Sequence, residues 1–432
     1  MAEAPSLAPI PPEPTRYDLH DSPFLELRNP LTAFDVCRII FLFPIAIVRS
    51  FIGCMALCVI AAINTFAAYN HPIDQPLAPW RRNLILASKE LVVVVFWMLG
   101  FLNIQVHGHE NIARAIQLKG VVIFNHVAWL DAFALVWLMA PSGVAKAFNA
   151  HLPVIKHAVR ALQTVYLPDA PRRTRPPPVK ASAVAAAAAP VAPLLSADFV
   201  GGGGSSGDGS GGGQGTHERT GTPSEGLSDS RQPQGQQEAA GDGVAAEAPA
   251  VAAAAPPPPP GMTEVLLQRV NDPRYCERGG FPVVVMAPEA VCSSGRGLLQ
   301  FRTGAFVLGR PVLPVLLKYS NTVFNPAWTL QNDLFHYLRL ITQWSNALEI
   351  TILPPYTPSP EELASPRLFA DNVRLVMAEG LGVPCVEQSG DHFYALYKAG
   401  IRASFGGSKA VGPPGVVSEE GFADLGPHMR DS

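Results

Sequence analysis

This sequence is short of charge. Only 16% of its 432 residues are Asp, Glu, Lys or Arg, while 48% are hydrophobic, a balance that leans toward a membrane-associated protein. A formal net charge of −3, without a basic stripe interleaved with aromatics, makes no case for nucleic acid. The six cysteines (Cys37, Cys54, Cys58, Cys276, Cys292 and Cys385) lack metal-ligand spacing. Reduced thiols are therefore expected and no metal site is predicted. The first 15 residues hold Glu3, Glu13, several prolines and no basic residue, which is not the pattern of a secretory leader. No predicted strand leads into a Gly-x-Ser-x-Gly elbow, which excludes the usual serine hydrolase site. A clean run of ~20 apolar residues, the length that spans a bilayer, is also missing.

Two broken apolar blocks stand in its place. Ile39–Ile63 is interrupted by Pro44, Arg49 and Ser50, and Leu91–Leu102 follows Lys89 and Glu90. The first crosses a membrane only if Arg49 finds a partner or snorkels. The second suits a re-entrant or interfacial helix, or a buried core helix. Arg38, Arg81 and Arg82 flank the blocks too evenly to orient them. The chain is thus divided into a flexible tail at 1–30, a membrane-associated helical region at 31–104, and an α/β unit that begins at 105–170. Residues 171–261, with Ala185–Ala189, Gly201–Gly204 and Pro256–Pro260, have the composition of a disordered insertion that is tolerated in a surface loop. The α/β unit resumes over 262–385, and 386–432 reads as a trailing tail.

Within the α/β unit, Val121–Phe124 reads as a buried strand, Asp131–Ala140 as a helix, His151–Leu162 as a second helix and Gln163–Leu167 as a strand. After the insertion, Thr263–Asn271 looks helical, Phe281–Ala287, Leu313–Tyr319 and Leu348–Leu353 look β-rich, and 360–380 has helical apolar spacing. Strands that alternate with helices predict an α/β fold: a largely parallel sheet flanked by helices, preceded by N-terminal membrane-associated helices.

The chemistry is expected where the first strand ends. Asn125 and His126 break the apolar run, and Asp131 opens the helix. On one continuous helix an offset of five residues turns about 140°, so the two side chains would point apart. With His126 in a turn and Asp131 in the first helical turn, the carboxylate reaches back to the imidazole and holds a general base in one tautomer. An Asp at a helix start is also an ordinary cap or dipole partner. A second constellation follows the strand that ends at Ala287. There Pro288-Glu289 precedes a glycine-containing loop with Arg296 and then Arg302-Thr303-Gly304, a carboxylate and two arginines that suit a phosphate-bearing ligand.

Together these stretches resemble the glycerolipid acyltransferases that share an Asn-His-x4-Asp box, in particular those acting on lysophosphatidylcholine and lysophosphatidylethanolamine. Asn125-His126…Asp131 matches the first motif of that family. Tyr166-Leu167-Pro168 resembles the second, with Arg172 or Arg173 a loose match for its arginine. Pro288-Glu289 matches the centre of the third, and Pro311–Val315 the fourth. Phe301–Phe306 and Phe369–Gly382 look like the same subgroup. The likeness covers roughly 31–170 and 262–385. Ala290 and Val291 depart from it, standing where Gly and Thr are usual, and Ala287 stands where Phe is usual.

The resemblance implies an enzyme of phospholipid synthesis or remodelling that transfers a fatty acyl group from acyl-CoA, as co-substrate and with no further cofactor, to a lysophospholipid hydroxyl. His126 and Asp131 would be catalytic. Asn125, Glu289, Arg296, Arg302 and Gly304 would bind substrate. The enzyme would sit on a membrane, that of the endoplasmic reticulum. The alternatives are a lysophosphatidate or glycerol-3-phosphate acceptor, or an inactive membrane scaffold of the same fold.

Overall fold

Thr32 starts the first long element. Its hydroxyl accepts the Asp35 amide at 3.1 Å and its own amide donates to Asp35 Oδ2 at 3.0 Å, a reciprocal cap. The computed structural model describes residues 16–146, 155–167, 261–320 and 322–425. Residues 171–260 of the 171–261 insertion, Pro168, Arg172, Arg173 and the start of the helix expected from His151 lie outside them.

In chain order the elements are β1 (Arg16–Asp18), α1 (Ala33–Ala67), α2 (Pro79–Ser88), α3 (Val92–Met98), β2 (Phe101–His107), α4 (Glu110–Gln117), β3 (Val121–Phe124), α5 (Asp131–Met139), β4 (Ser142–Lys146), α6 (Ile155–Ala161) and β5 (Val165–Leu167). After the insertion come α7 (Met262–Val270), β6 (Val284–Met286), β7 (Val312–Tyr319), α8 (Asp333–Ile341), β8 (Asn346–Ile352), α9 (Pro360–Ala364), α10 (Pro366–Leu381), α11 (Gly390–Lys398), β9 (Arg402–Ala403), β10 (Ala410–Val411) and β11 (Phe422–Asp424).

Seven strands form one sheet in the order β2-β8-β7-β3-β6-β4-β5, and every neighbouring pair is parallel except β7 with β8. Successive residues feed opposite faces, as the two-residue period of a strand requires. Val122, Phe124, Val285, Leu313 and Val315 enter one apolar core, and Val121, Ile123, Val284, Met286 and Leu316 enter the other. Both faces being covered explains why β3 is an unbroken apolar run.

At 35 residues α1 is about 52 Å long. Among the described residues it is the one helix long and apolar enough to cross a bilayer. One side of it packs on α2, α3, α6 and α8. The other exposes Phe34, Ile40, Phe41, Ile47, Val48, Phe51 and Phe66. Arg49 finds the partner its place demands: Nη1 donates to Ile341 O and Gln343 O, both at 3.0 Å, at the carbonyl end of α8. The second apolar block takes the core alternative. Val92, Val95, Phe96 and Leu99 are buried, and the chain enters the sheet at Phe101. The helical region 31–104 therefore shares its core with the α/β part.

Both presumed tails need correction. Residues 16–18 pair antiparallel with 422–424. Tyr17, Leu19, Phe24 and Leu25 bury against Leu396, Ile401, Leu425 and Val291 of the third-motif loop. Each segment alone is too sparsely apolar to advertise a core. Packed together, 16–30 and 390–425 close one over that loop.

Candidate active site

The site lies at the carboxyl ends of β3 and β6, adjacent parallel strands, where open α/β sheets usually present their ligands. β3 delivers Asn125 and His126. A short turn, 127–130, lets α5 begin at Asp131. The bend brings His126 Nδ1 to 2.8 Å from Asp131 Oδ2. The same oxygen accepts the amides of Val127 at 2.7 Å and Ala128 at 2.9 Å, and Oδ1 accepts the Tyr319 hydroxyl at 2.6 Å. All four partners are donors, the set an ionised carboxylate accepts. Burial, reinforced by Asp131, raises the Tyr319 pKa well above its ordinary value, so this hydroxyl keeps its proton. Asp131 is 0% exposed. With a proton on Nδ1, His126 presents the lone pair of Nε2, on a side chain that is 25% exposed.

The other side of His126 is built by the loop after β6. Glu289 Oε1 accepts the His126 amide at 2.7 Å, and Oε2 accepts the Leu299 amide at 3.0 Å. His126 O in turn accepts the Ser293 amide at 2.9 Å. Burial pushes the Glu289 carboxyl up to about 7. Cys292 is buried with Sγ 3.5 Å from His126 Nε2. Burial also raises the Cys292 thiol. It works against the imidazolium too, but the Cys292 sulfur and the Asp131 carboxylate prevail and hold the His126 pKa well above its ordinary value.

Four of the residues singled out in the sequence therefore come together: Asn125, His126, Asp131 and Glu289. Two of them differ from the expected ligand-binding role. Glu289 is 1% exposed and spends both oxygens on backbone amides. Asn125 is buried, donating to Leu317 O at 2.9 Å and accepting the Leu317 amide at 2.8 Å, so it zips the end of β3 to β7. Both side chains position the histidine.

The arginines are also engaged. Arg296 pairs with Glu26 at 3.1 Å, and Asn325 also bonds that carboxylate. This arginine thereby anchors the N-terminal segment. Arg302 makes an exposed pair with Asp391 at 2.7 Å, and its amide donates to Pro288 O at 2.8 Å. Gly304 lies in a 3-10 turn over Met286. Ala290, where the resemblance expects Gly, has φ +63°. That is the left-handed region, which costs a residue with a Cβ about 1–2 kcal/mol. Val291 is 4% exposed in the apolar cluster made by the terminal segments, a place that suits Val better than Thr.

No sequence pattern assigns a site role to Cys292, Tyr319, Glu26 or Asn325. The signals they offer are a thiol one residue beyond the third motif and a hydroxyl at the end of an apolar strand.

No family model matches the chain. Among curated proteins it is 24% identical over 385 residues to human lysophospholipid acyltransferase LPCAT4, a match covering 88% of this chain and 54% of that protein. It is 42% identical over 118 residues to lysophosphatidylcholine acyltransferase 1 of Danio rerio, covering 27% of this chain and 23% of the relative. It is 46% identical over 97 residues to lysophospholipid acyltransferase LPEAT1 of Arabidopsis thaliana, covering 22% and 24%. The chain thus spans about half the length of the first of these and about a quarter of the other two. A solved structure with some likeness is the 1-acyl-sn-glycerophosphate acyltransferase PlsC of Thermotoga maritima, at 15% identity and a TM-score of 0.41, covering 80% of this chain and 96% of that one. By these sequence matches the chain is similar to the lysophospholipid acyltransferases over the stretches given, in keeping with the resemblance carried by its motifs.

Proposed function

We propose that this protein moves a fatty acyl group from acyl-CoA to the free hydroxyl of a lysophospholipid, lysophosphatidylcholine or lysophosphatidylethanolamine. The observation that carries the reading is the His126 Nδ1–Asp131 Oδ2 bond of 2.8 Å, with the carboxylate otherwise saturated by donors. Such an aspartate fixes the tautomer and steadies the imidazolium that forms when Nε2 takes a proton. The acceptor class rests on the names of the relatives, which are called lysophosphatidylcholine or lysophospholipid acyltransferases.

In this reading His126 removes the acceptor's hydroxyl proton as an acyl thioester gives up its CoA thiol. Positioning contributes as much as proton transfer, because the thiolate leaves readily. Asn125 and Glu289 keep His126 in place from the backbone side. Arg302 is the exposed arginine of the third-motif region, and it would exchange Asp391 for a phosphate oxygen. The apolar face of α1 would rest in a membrane, where both substrates keep their acyl chains. The endoplasmic reticulum is the proposed location, on family likeness alone.

The strained Ala290 favours a second reading, an inactive scaffold with a decayed third motif. The saturated dyad opposes it. The test is acyl-CoA-dependent acylation by wild-type membranes offered lysophosphatidylcholine, lysophosphatidylethanolamine, lysophosphatidate and glycerol 3-phosphate. Preference for either of the first two is expected. Preference for either of the last two overturns the acceptor assignment, and no product with any acceptor favours the scaffold.

A further inference from the structure

Helix α8 is turned inside out for a helix in water. A surface helix buries its apolar side and shows its charges to solvent. In α8 the ionisable side chains of His336 and Arg339 are buried, and Arg339 Nη1 donates to Asn29 O at 3.1 Å. Leu334 is 70% exposed. Tyr337 and Leu338, both partly exposed, follow it at the three- and four-residue spacing of one helix face. Trp328 before the helix and Trp344 after it are exposed as well. Over 322–345 the only Asp, Glu, Lys or Arg residues are Asp333 and Arg339. Asp333, the exposed one, accepts the Trp328 indole N–H at 2.9 Å. An outward face of large apolar side chains, with its one charge capped and its other ionisable groups turned inward, suits lipid better than water. Tryptophan and tyrosine, apolar rings with a polar tip, are the residues enriched where lipid meets water.

The occupant of this face follows from what adjoins it. Tyr337 Oη lies 3.0 Å from Ser50 Oγ, on the helix α1 whose exposed apolar side is read above as resting in a membrane. Arg49 of α1 bonds the carbonyl end of α8. The two helices thus touch along their exposed sides, and a bilayer that covers one reaches the other. We propose that α8, with Trp328 and Trp344, is a second lipid-contacting element that lies in the surface of a phospholipid bilayer beside α1. The contact reaches the site through the backbone. The Trp328 amide donates to Val127 O at 2.8 Å, and the Val127 amide donates to Asp131 Oδ2 at 2.7 Å. A bilayer at Trp328 is therefore two hydrogen bonds from the carboxylate that orients His126. The element seats the 127–130 turn against the surface from which a lysophospholipid is drawn.

The proposal rests on the membrane reading of α1 but fails separately from it. Full-length wild-type protein is reconstituted in phosphatidylcholine vesicles that include a phosphatidylcholine with a diazirine in its acyl chain. After irradiation, peptide mass spectrometry should find lipid adducts within 328–344 as well as within α1. Adducts on α1 alone overturn the proposal and leave α1 in the membrane. Adducts on neither overturn both. A dimer whose 328–344 segments crosslink to each other and take no lipid makes a second copy the occupant, which also overturns it. Leu334→Lys combined with Trp344→Lys changes two exposed side chains, so the melting temperature in detergent should stay as it is. That variant should lose the adducts over 328–344 and keep those on α1. It should transfer acyl groups to vesicle-borne lysophosphatidylcholine about tenfold more slowly, within the range that a small misplacement of reacting groups produces. An undiminished rate in a variant that has lost those adducts overturns the seating of the turn. The labelling of the wild type needs neither a variant nor activity, so it decides the lipid contact even if no lysophospholipid is acylated.

Discussion

The two sides of His126 are built in opposite ways. On one side Asp131 is five residues along the chain, and the turn between them supplies two more donors to its carboxylate. On the other, Glu289 and Cys292 arrive from 163 and 166 residues away, across the insertion. The first side is local chemistry with one long-range brace, Tyr319. The second is scaffolding supported by the segments 16–30 and 390–425. A site assembled this way should lose rate when the local side is damaged and lose stability when the remote side is.

The sharpest way to break that contrast is Asp131→Asn. Asn places an amide among four donors and no longer steadies an imidazolium, so the acylation rate should fall by about 10³–10⁴-fold, the scale seen when a triad aspartate is neutralised. A fall of less than tenfold, with the melting temperature unchanged, would make Asp131 an ordinary cap.

The acid limb of the wild-type profile probes the same side. The base must be neutral, and the Cys292 sulfur and Asp131 hold its pKa above 6.5 against the effect of burial. Activity should therefore decline as pH drops through a value above 6.5. A midpoint at or below 6.5 contradicts the geometry.

On the remote side, Glu289→Gln sets an NH2 against the amide of either His126 or Leu299, and one donor is left unsatisfied at a cost of about 1–3 kcal/mol. Denaturant unfolding should register this loss. The wild-type carboxyl is raised from 4.5 to about 7 by burial. Its contribution to stability is thus full below 4.5 and lost as pH rises through about 7, and the Gln variant should lack that slope.

The smallest effect is a gain. Ala290→Gly relieves the left-handed strain at an exposed position and should stabilise by about 1 kcal/mol. A destabilised Gly variant would mean that the methyl makes contacts worth more than the strain.

Legibility in the sequence follows the same division. Val121–Phe124 announces a buried strand because four apolar residues in a row suit a sheet covered on both faces. His126 and Asp131 are close enough in sequence for a bend to be inferred. The apolar length of α1 is plain, and Arg49 stated what it needed. Glu26 gives no sign of its pairing with Arg296, which lies 270 residues away. An arginine in a glycine-containing loop looks the same whether its partner is phosphate or carboxylate. The pairing of the terminal segments is not legible because strands of two or three residues, such as β9 and β1, carry no periodicity and exist only through their partners. In the sequence Tyr319 is the end of a strand, and its hydroxyl acquires meaning only beside Asp131.

The most direct test of the account is the rate of acyl transfer from acyl-CoA to lysophospholipid by His126→Ala, at matched expression and with a folded state confirmed by its melting temperature. A base held as His126 is held contributes about 10²–10⁴-fold, and the account predicts a loss at least that large. Activity within a few-fold of wild type would contradict it.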